Sequence, residues 1–347
     1  MGKNYRFALI GCGQAGEDHL EQMLGTPGIE VVAIADIRKE VVERVGRKYG
    51  VSQGYTDHRA LFRREQLDAV NVVTSGDAHF PIVRDALNSG LHVICEKPLT
   101  VEPKDSRALA SLAKRKRRLL AVTFTYRFVP DTRKIHEVLS SGRIGTIKEL
   151  RFISLGGTFE KYPAGTEERT KYDRVYTKVK GMVFDCGIHA LDLLRWCAGS
   201  PVKRVDARAT CHYGYPWPDS CTAILEFANG IKGVYDYGRL PHYYADMPSR
   251  AILHFIASGT RGSLVWTLAG RKGPVKRSTV EVFTGRRAEV VTFPIYEKER
   301  GLELRQFIAS IRKGNLTGYF PSIEEAVYAT ELADRVVRTG MKNCISS

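Results

Sequence analysis

The run Phe7-Ala8-Leu9-Ile10-Gly11-Cys12-Gly13-Gln14-Ala15-Gly16 sets four apolar residues against three glycines spaced G-x-G-x-x-G, and a helical pattern follows. That order leaves few options. A short uninterrupted apolar run suits a strand buried on both faces, and the chain must then turn sharply and return as a helix. Gly11 allows the tight turn, Gly13 the close approach of a pyrophosphate, and Gly16 the helix-to-strand contact. The phosphates would sit on the helix N-terminus at Gln14 and Ala15.

The alternation continues through the first third of the chain. Strand-like runs at Phe7 to Ile10, Val31 to Ala35, Ala69 to Val73, His92 to Cys95 and Leu119 to Phe124 alternate with helical patterns. Those patterns lie near Glu17 to Leu24, Lys39 to Tyr49, Phe80 to Asn88 and Pro103 to Arg115. This is the pattern of an α/β unit with a doubly wound parallel sheet. Asp36 ends the second run, 20 residues after Gly16, where a carboxylate can accept hydrogen bonds from adenosine ribose hydroxyls. That favours NAD. Arg38, two residues on, could pair with a 2′-phosphate and leaves NADP open. Asp36 as an ordinary turn residue is the rival reading.

With 347 residues the chain exceeds what one core serves, so two domains are expected. After Tyr126-Arg127-Phe128-Val129-Pro130 the pattern changes to one helix, a strand at Ile147 to Leu155, a helix near Met182 to Cys197, and then mostly strands. These are Val205 to His212, Thr222 to Phe227, Lys232 to Tyr237, Ala251 to Ala257, Ser263 to Leu268 and Val280 to Phe283. Ala228-Asn229-Gly230 reads as a hairpin turn, and terminal helices are expected at Leu302 to Arg312 and Ser322 to Val337. The boundary is placed at 125/126. Residues 126–347 are expected to form an α+β domain with a large open, mainly antiparallel sheet.

The net charge of +15 fits either nucleic acid or an anionic small molecule. Its densest run, Lys114-Arg115-Lys116-Arg117-Arg118, closes a helix, where cations complement the dipole and face water. Neither nucleic acid nor a membrane is therefore expected as partner. No apolar stretch reaches the roughly 18 residues of a membrane helix. The start runs straight into a strand rather than a signal peptide, so a cytoplasmic location is expected. Seven scattered cysteines without a C-x-x-C pair suit reduced, packed thiols, and no metal site is expected.

Two further segments carry chemistry. Glu96-Lys97-Pro98 ends an apolar run, putting a lysine at a strand end, where open α/β sheets place their chemistry. In Gly181-Met182-Val183-Phe184-Asp185-Cys186-Gly187-Ile188-His189-Ala190-Leu191-Asp192, spacings of four and three put Asp185, His189 and Asp192 on one helix face. A carboxylate beside a histidine can fix its tautomer and raise its basicity, as proton removal from a hydroxyl needs. An N-capping Asp185 with a structural His189 is the competing reading.

Four motifs in order make the sequence similar to the Gfo/Idh/MocA family of glucose-fructose oxidoreductase and inositol dehydrogenases. They are Gly11-x-Gly13-x-x-Gly16 with Asp36, Thr74 followed by His79, Glu96-Lys97-Pro98, and Asp185-x-Gly187-x-His189-x-x-Asp192. The resemblance implies an N-terminal Rossmann domain to about residue 125 and a second domain whose open sheet often forms the oligomer interface, so a homodimer or homotetramer is expected. It implies that Thr74, His79, Glu96, Lys97 and Arg127 contribute to the cofactor site. It also implies that Lys97, Asp185 and His189 meet beneath the nicotinamide, with a Lys97-Pro98 bond that is cis. In those roles Lys97 binds and polarises the reacting oxygen, His189 exchanges the proton, and Asp185 orients it or contacts substrate. Tyr126, and Tyr237 or Tyr235, would lie near a sugar or cyclitol substrate, and either strand tyrosine could equally be sheet packing.

Two departures from the family pattern, Lys180-Gly181-Met182 and Ser75-Gly76-Asp77, fall at the pocket floor and the cofactor edge. The loop Gly156 to Lys180 carries Lys161, Arg169, Lys171, Arg174, Lys178 and Lys180, so an anionic substrate is one expectation and a solvated lid the other. The expected activity is an NAD(P)-dependent oxidoreductase acting on a secondary hydroxyl of a sugar or cyclitol. The alternatives are redox-assisted glycoside cleavage and a non-catalytic dinucleotide-binding sensor.

Overall fold

Five short apolar runs and one polar edge segment fold as strands β1 (Tyr5–Ile10), β2 (Ile29–Ala35), β3 (Gln53–Tyr55), β4 (Ala69–Val72), β5 (His92–Glu96) and β6 (Leu120–Thr123). Between them run α1 (Gln14–Leu24), α2 (Lys39–Tyr49), α3 (His58–Arg64), α4 (Gly76–Asn88) and α5 (Pro103–Lys116). This computed structural model describes residues 4–156, 170, 173, 176–212, 216–239, 252–269, 277–294 and 300–344. The strands pair in parallel in the order β3-β2-β1-β4-β5-β6. Chain direction across the sheet reverses between β1 and β4, and strand ends at such a point form the crevice where open α/β sheets take ligands. The uninterrupted apolar runs are explained by burial on both faces: Phe7, Leu9, Val70, Val72 and Val93 have no exposed surface.

Two elements here escaped the sequence reading. β3 is a three-residue edge strand of sequence Gln-Gly-Tyr, too short and polar to show a period. α3 is announced only by Asp57, whose carboxylate accepts the Arg59 N–H at 2.9 Å as an N-cap. The basic run closes α5 as expected, with Arg117 in the left-handed region at φ 51°.

The remaining elements are α6 (Pro130–Ser140), β7 (Ile147–Gly156), α7 (Gly181–Asp185), α8 (Ile188–Ala198), β8 (Val202–Thr210), β9 (Ser220–Phe227) and β10 (Lys232–Arg239). They continue with β11 (Ile252–Gly259), β12 (Gly262–Ala269), β13 (Arg277–Thr284), β14 (Arg287–Pro294), α9 (Arg300–Lys313) and α10 (Ile323–Lys342). Eight strands form one sheet, ordered β14-β13-β12-β11-β7-β10-β9-β8, in which only β7 and β10 pair in parallel. β9 and β10 are joined by the expected turn, where Gly230 takes φ 83° and its N–H reaches the Phe227 carbonyl at 3.0 Å.

Compact packing divides the chain into Met1–Thr125 with Glu299–Thr330, and Tyr126–Lys298 with Glu331–Ser347. α9 thus groups with the first sheet, where Phe307 meets Phe7 edge-on at 6.2 Å, a grouping that chain order does not reveal.

Strict pairing aligns one row of side chains across the second sheet: Ala207, Ala223, Tyr235, Phe152, Phe255, Trp266 and Val280, all buried. This row is the core against which α6, α7 and α8 pack. Removing the Phe152 ring leaves a cavity that the flanking strands cannot close. Phe152→Ala is expected to destabilise the second unit by about 3–5 kcal/mol, read as a lower urea midpoint by tyrosine and tryptophan fluorescence.

Candidate active site

The glycine-rich loop is built by close approach. At Gly11, which takes φ 98°, a Cβ would lie 2.3 Å from the Val73 carbonyl oxygen, and at Gly16 it would lie 2.0 Å from the Gly11 carbonyl. Only glycine lets α1 sit so near the ends of β1 and β4. At Gly13, by contrast, a Cβ would meet nothing within 4 Å, and no side chain caps the helix it precedes. Open space therefore adjoins the uncapped N–H groups of Gln14, Ala15 and Gly16, which fits an anionic pyrophosphate.

Asp36 follows β2 beside that loop. Its Oδ2 accepts the Cys12 N–H at 2.9 Å, its Oδ1 accepts the Arg38 N–H at 3.0 Å, and the Arg38 guanidinium bridges both oxygens at 3.0 and 3.1 Å. Burial works to raise the Asp36 carboxyl, but Arg38 and the two backbone N–H groups outweigh it and hold it below the usual range. The carboxylate stays ionised at neutral pH, as binding a ribose diol requires.

The Lys97 turn leaves β5 through a cis Lys97-Pro98 bond. Lys97 itself is half-buried. Glu96 Oε2 accepts the Lys97 N–H at 3.1 Å, while its Oε1 lies 3.0 Å from His19 Nε2. On the other flank His79, with no exposed surface, has Nδ1 at 2.8 Å from the Pro98 carbonyl and Nε2 at 3.1 Å from the Thr74 carbonyl. Burial pushes His79 below its ordinary range, and as a neutral ring with one N–H it donates to one of these carbonyls, the nearer being that of Pro98. Gly76, one of the departures from the family pattern, makes room for the turn, since a Cβ there would lie 3.1 Å from the Pro98 ring.

In the second unit the segment read as one helix is two. The Gly187 N–H bonds to the Met182 carbonyl at 3.0 Å, five residues back, and the His189 N–H to Cys186 at 3.3 Å, three residues back. The regular ladder is thus interrupted between α7 and α8. The cause is local. A Cβ at Gly187 would lie 2.0 Å from the Tyr235 hydroxyl and 2.4 Å from the Val183 carbonyl, so only glycine admits Tyr235 into the break.

This corrects the expectation of Asp185, His189 and Asp192 on one face. Asp185, Cys186 and His189 emerge half-buried, whereas Asp192 turns inward and is 1% exposed. There it takes both arms of Arg127, with Nε to Oδ2 at 2.8 Å and Nη2 to Oδ1 at 2.7 Å. Arg127, expected at the cofactor, is a buried partner of Asp192. Tyr126 remains half-buried with its ring centroid 5.4 Å from that of His189, and it rests on Phe152 and Trp266. Tyr235 and Tyr237 stack at 6.1 Å, with Tyr237 5% exposed and Tyr235 fully buried.

Lys180, expected at the pocket floor, is 5% exposed and reaches Asp334 Oδ1 at 2.8 Å. Lys161, Arg169, Lys171 and Arg174, and with them most of the basic loop, lie outside the described residues. The groups missed from sequence are His19, Asn71 and Tyr235's contact with Gly187. An asparagine inside the apolar run Ala69 to Val73 was the available signal for the second.

Among known proteins, the chain matches two halves of one family: "Oxidoreductase family, NAD-binding Rossmann fold" over residues 5–124 and "GFO/IDH/MocA C-terminal domain" over residues 132–265. It is 27% identical over 345 residues to inositol 2-dehydrogenase of Rhizobium meliloti, covering 96% of each chain. It is 29% identical over 234 residues to D-apiose dehydrogenase of Paraburkholderia graminis, covering 67% of this chain and only 60% of that enzyme. The fold is shared with levoglucosan dehydrogenase, solved with NADH and levoglucosan, at a TM-score of 0.84, 21% identity and 98% coverage of both chains.

The Tyr235 hydroxyl is buried and has no hydrogen-bond partner among the described residues. Tyr235→Phe is therefore expected to keep or raise the melting temperature. Gly187→Ala should cost about 1–3 kcal/mol through overpacking, and Tyr235→Phe in the same chain should return part of that loss, leaving the Val183 clash. Thermal melts of the two single variants and the double variant measure this coupling.

Proposed function

The chain belongs to the Gfo/Idh/MocA family of NAD-binding oxidoreductases, and from that premise we propose that it is a dehydrogenase or reductase acting on a secondary hydroxyl of a sugar, cyclitol or sugar derivative. The observation that carries this reading is the broken helix. It brings His189 and Asp185 to the surface of an otherwise buried segment, with Tyr126 beside His189. A proton acceptor, a carboxylate and an aromatic face are what removal of a hydroxyl proton from a polyol needs.

NAD, when bound, supplies the hydride-accepting nicotinamide C4. In this reading the chain's own residues take the following roles. The N-terminus of α1 holds the pyrophosphate, and Asp36 accepts from the ribose hydroxyls. The Lys97 ammonium stabilises negative charge developing on the substrate oxygen, His189 takes the hydroxyl proton, and Asp185 orients His189 or holds a neighbouring hydroxyl. The relatives named for inositol and D-apiose support a polyhydroxylated substrate. Seven cysteines, four of them buried, suit the reducing cytoplasm as the setting.

Absorbance assays of NAD reduction with a panel of myo-inositol, aldoses, glycosides and uronates test the reading. Lys97→Ala and His189→Ala are each expected to lose on the order of 10²-fold or more in kcat while binding NAD as the parent does. Full activity in either variant would remove that residue from the mechanism. Loss of NAD binding in both would mean structural damage instead.

The reading includes a homo-oligomer formed through the open face of the second sheet. There the row Asp206, Ile224, Val234, Arg151, Ile256, Val265, Glu281 and Val290 crosses all eight strands. Five of these are branched apolar residues on a solvent-facing surface, with Ile224 52% and Val290 56% exposed. Ile224→Asp with Val290→Asp is expected to reduce the mass measured by light scattering to that of a single chain. An unchanged mass would place any assembly surface elsewhere.

A further inference from the structure

A buried polar chain crosses three elements of the first sheet and ends on the Lys97 backbone. Asn71 in β4 has no exposed surface, His19 in α1 is 2% exposed, and Glu96 at the end of β5 is 9% exposed. Asn71 Nδ2 lies 3.0 Å from His19 Nδ1, His19 Nε2 lies 3.0 Å from Glu96 Oε1, and Glu96 Oε2 accepts the Lys97 N–H at 3.1 Å.

The protons follow from the donors. An amide nitrogen can only donate, so His19 Nδ1 accepts and the ring proton sits on Nε2. That proton goes to Glu96, which as a carboxylate accepts both from His19 and from Lys97. The second Asn71 amide proton points at Met23 Sδ, 3.5 Å away, which fixes the amide's orientation. The other end of the amide is not provided for: Asn71 Oδ1 is buried and has no hydrogen-bond partner among the described residues.

A buried carbonyl left in that state is a net loss that an apolar residue of similar volume avoids. The neighbours Ala69, Val70 and Val72 are all buried and apolar, so folding gives no reason for an asparagine at this point in the strand. Fixing the histidine tautomer does. With Asn71 as donor, His19 cannot present Nε2 as an acceptor, so its Nε2–H stays on Glu96 Oε1 and leaves Oε2 to the Lys97 N–H.

We propose that Asn71 and His19 are positioning residues for Lys97: they orient Glu96 as a carboxylate that pins the Lys97 backbone, and so set where the ammonium points. His79, which holds the Pro98 carbonyl, secures the opposite flank of the same turn. α1 offers its N-terminus to the cofactor phosphates and His19 to Glu96, so one rigid helix sets both the pyrophosphate and the lysine. The inference rests on Lys97 acting on the substrate oxygen.

Two measurements decide it. Nitrogen-15 NMR of histidine-labelled, ligand-free protein is expected to show His19 as the neutral Nε2–H tautomer, and Asn71→Leu should shift the Nδ1 resonance downfield as that nitrogen loses its donor. An Nδ1–H ring, or an imidazolium at pH 7.5, in the parent protein would overturn the proposal. Kinetically, with NAD and the panel polyol that the parent protein oxidises fastest, Asn71→Leu should lower kcat on the order of 10- to 100-fold, with KM and the NAD dissociation constant changed less than about threefold. His19→Leu should behave alike, and His19→Gln, which restores a donor to Glu96, should recover most of the loss. Unchanged kcat in Asn71→Leu, or a loss matched by loss of NAD affinity, would overturn it.

The two levels fail differently. A parent protein inactive on the whole panel counts against the dehydrogenase reading, while the tautomer measurement still decides the Asn71–His19–Glu96 arrangement. A fully active Lys97→Ala overturns both.

Discussion

The second unit depends on one contact, the Tyr235 hydroxyl against the bare Cα of Gly187. Tyr235 belongs to the buried row that crosses seven strands, so its position is fixed by ladder pairing on both sides. The helix must yield to it rather than the reverse, and it yields by interrupting its hydrogen-bond ladder at the one residue without a Cβ. That interruption turns Asp185, Cys186 and His189 outward and Asp192 inward. Tyr126 is referenced to the same row through Phe152 and Trp266. The groups proposed for proton transfer are thus held against the buried row of the unit, at the register of its core.

Turning Asp192 inward would be costly if it were alone. A buried carboxylate is stable only when its lone pairs are filled, and the Arg127 fork fills them in bidentate geometry. The guanidinium in turn lies 5.3 Å from the Trp196 ring centroid, and Trp196 stacks on His136 at 3.9 Å. Burial first, and then the Arg127 charge, keep His136 below its ordinary range, so no second cation builds up beside the pair. Replacing either partner would strand a charge in the core. The pair therefore acts as a lock on where α8 sits.

Much of the first unit was legible because its constraints are local. A strand buried on both faces must be uniformly apolar, and a helix brought against it needs glycine at fixed offsets, so Gly11, Gly13, Gly16 and Asp36 declare themselves within one short stretch of sequence. The helix break was not legible. The Gly181 to Asp192 stretch has good helical spacing, and the reason it fails at Gly187 is a tyrosine 48 residues further along. Arg127 and Asp192 likewise find each other across 65 positions, and chemistry alone makes each look like a site residue. His19 and Asn71 were hidden for the same reason, because a lone polar residue in an apolar pattern acquires meaning only when its partner in space is known. β14 was missed because its edge position leaves its alternate residues exposed, which blunts the hydrophobic signal.

The cofactor edge shows how far charge can be read once partners are counted. Glu17, in the first turn of α1, is drawn down to about 2 by hydrogen bonds from Arg44 and Lys48, so its negative charge is already ion-paired. The lone pairs of Asp36 are full: one oxygen takes the Arg38 N–H and Nε, the other the Cys12 N–H and Arg38 Nη2. A ribose diol can bond to Asp36 only by displacing a donor. The backbone donors belong to the glycine loop and to the start of α2 and cannot leave without unfolding them. The Arg38 side chain, 49% exposed, can swing into water at little cost. In the proposed cofactor site Asp36 would therefore be the fixed element of adenosine recognition and Arg38 the variable one. Retracted, Arg38 frees the carboxylate for the diol of NAD. Turned outward but kept near, it would be the cation that meets a 2′-phosphate, so in the proposed site the choice between the two nucleotides would turn on where this half-exposed side chain rests.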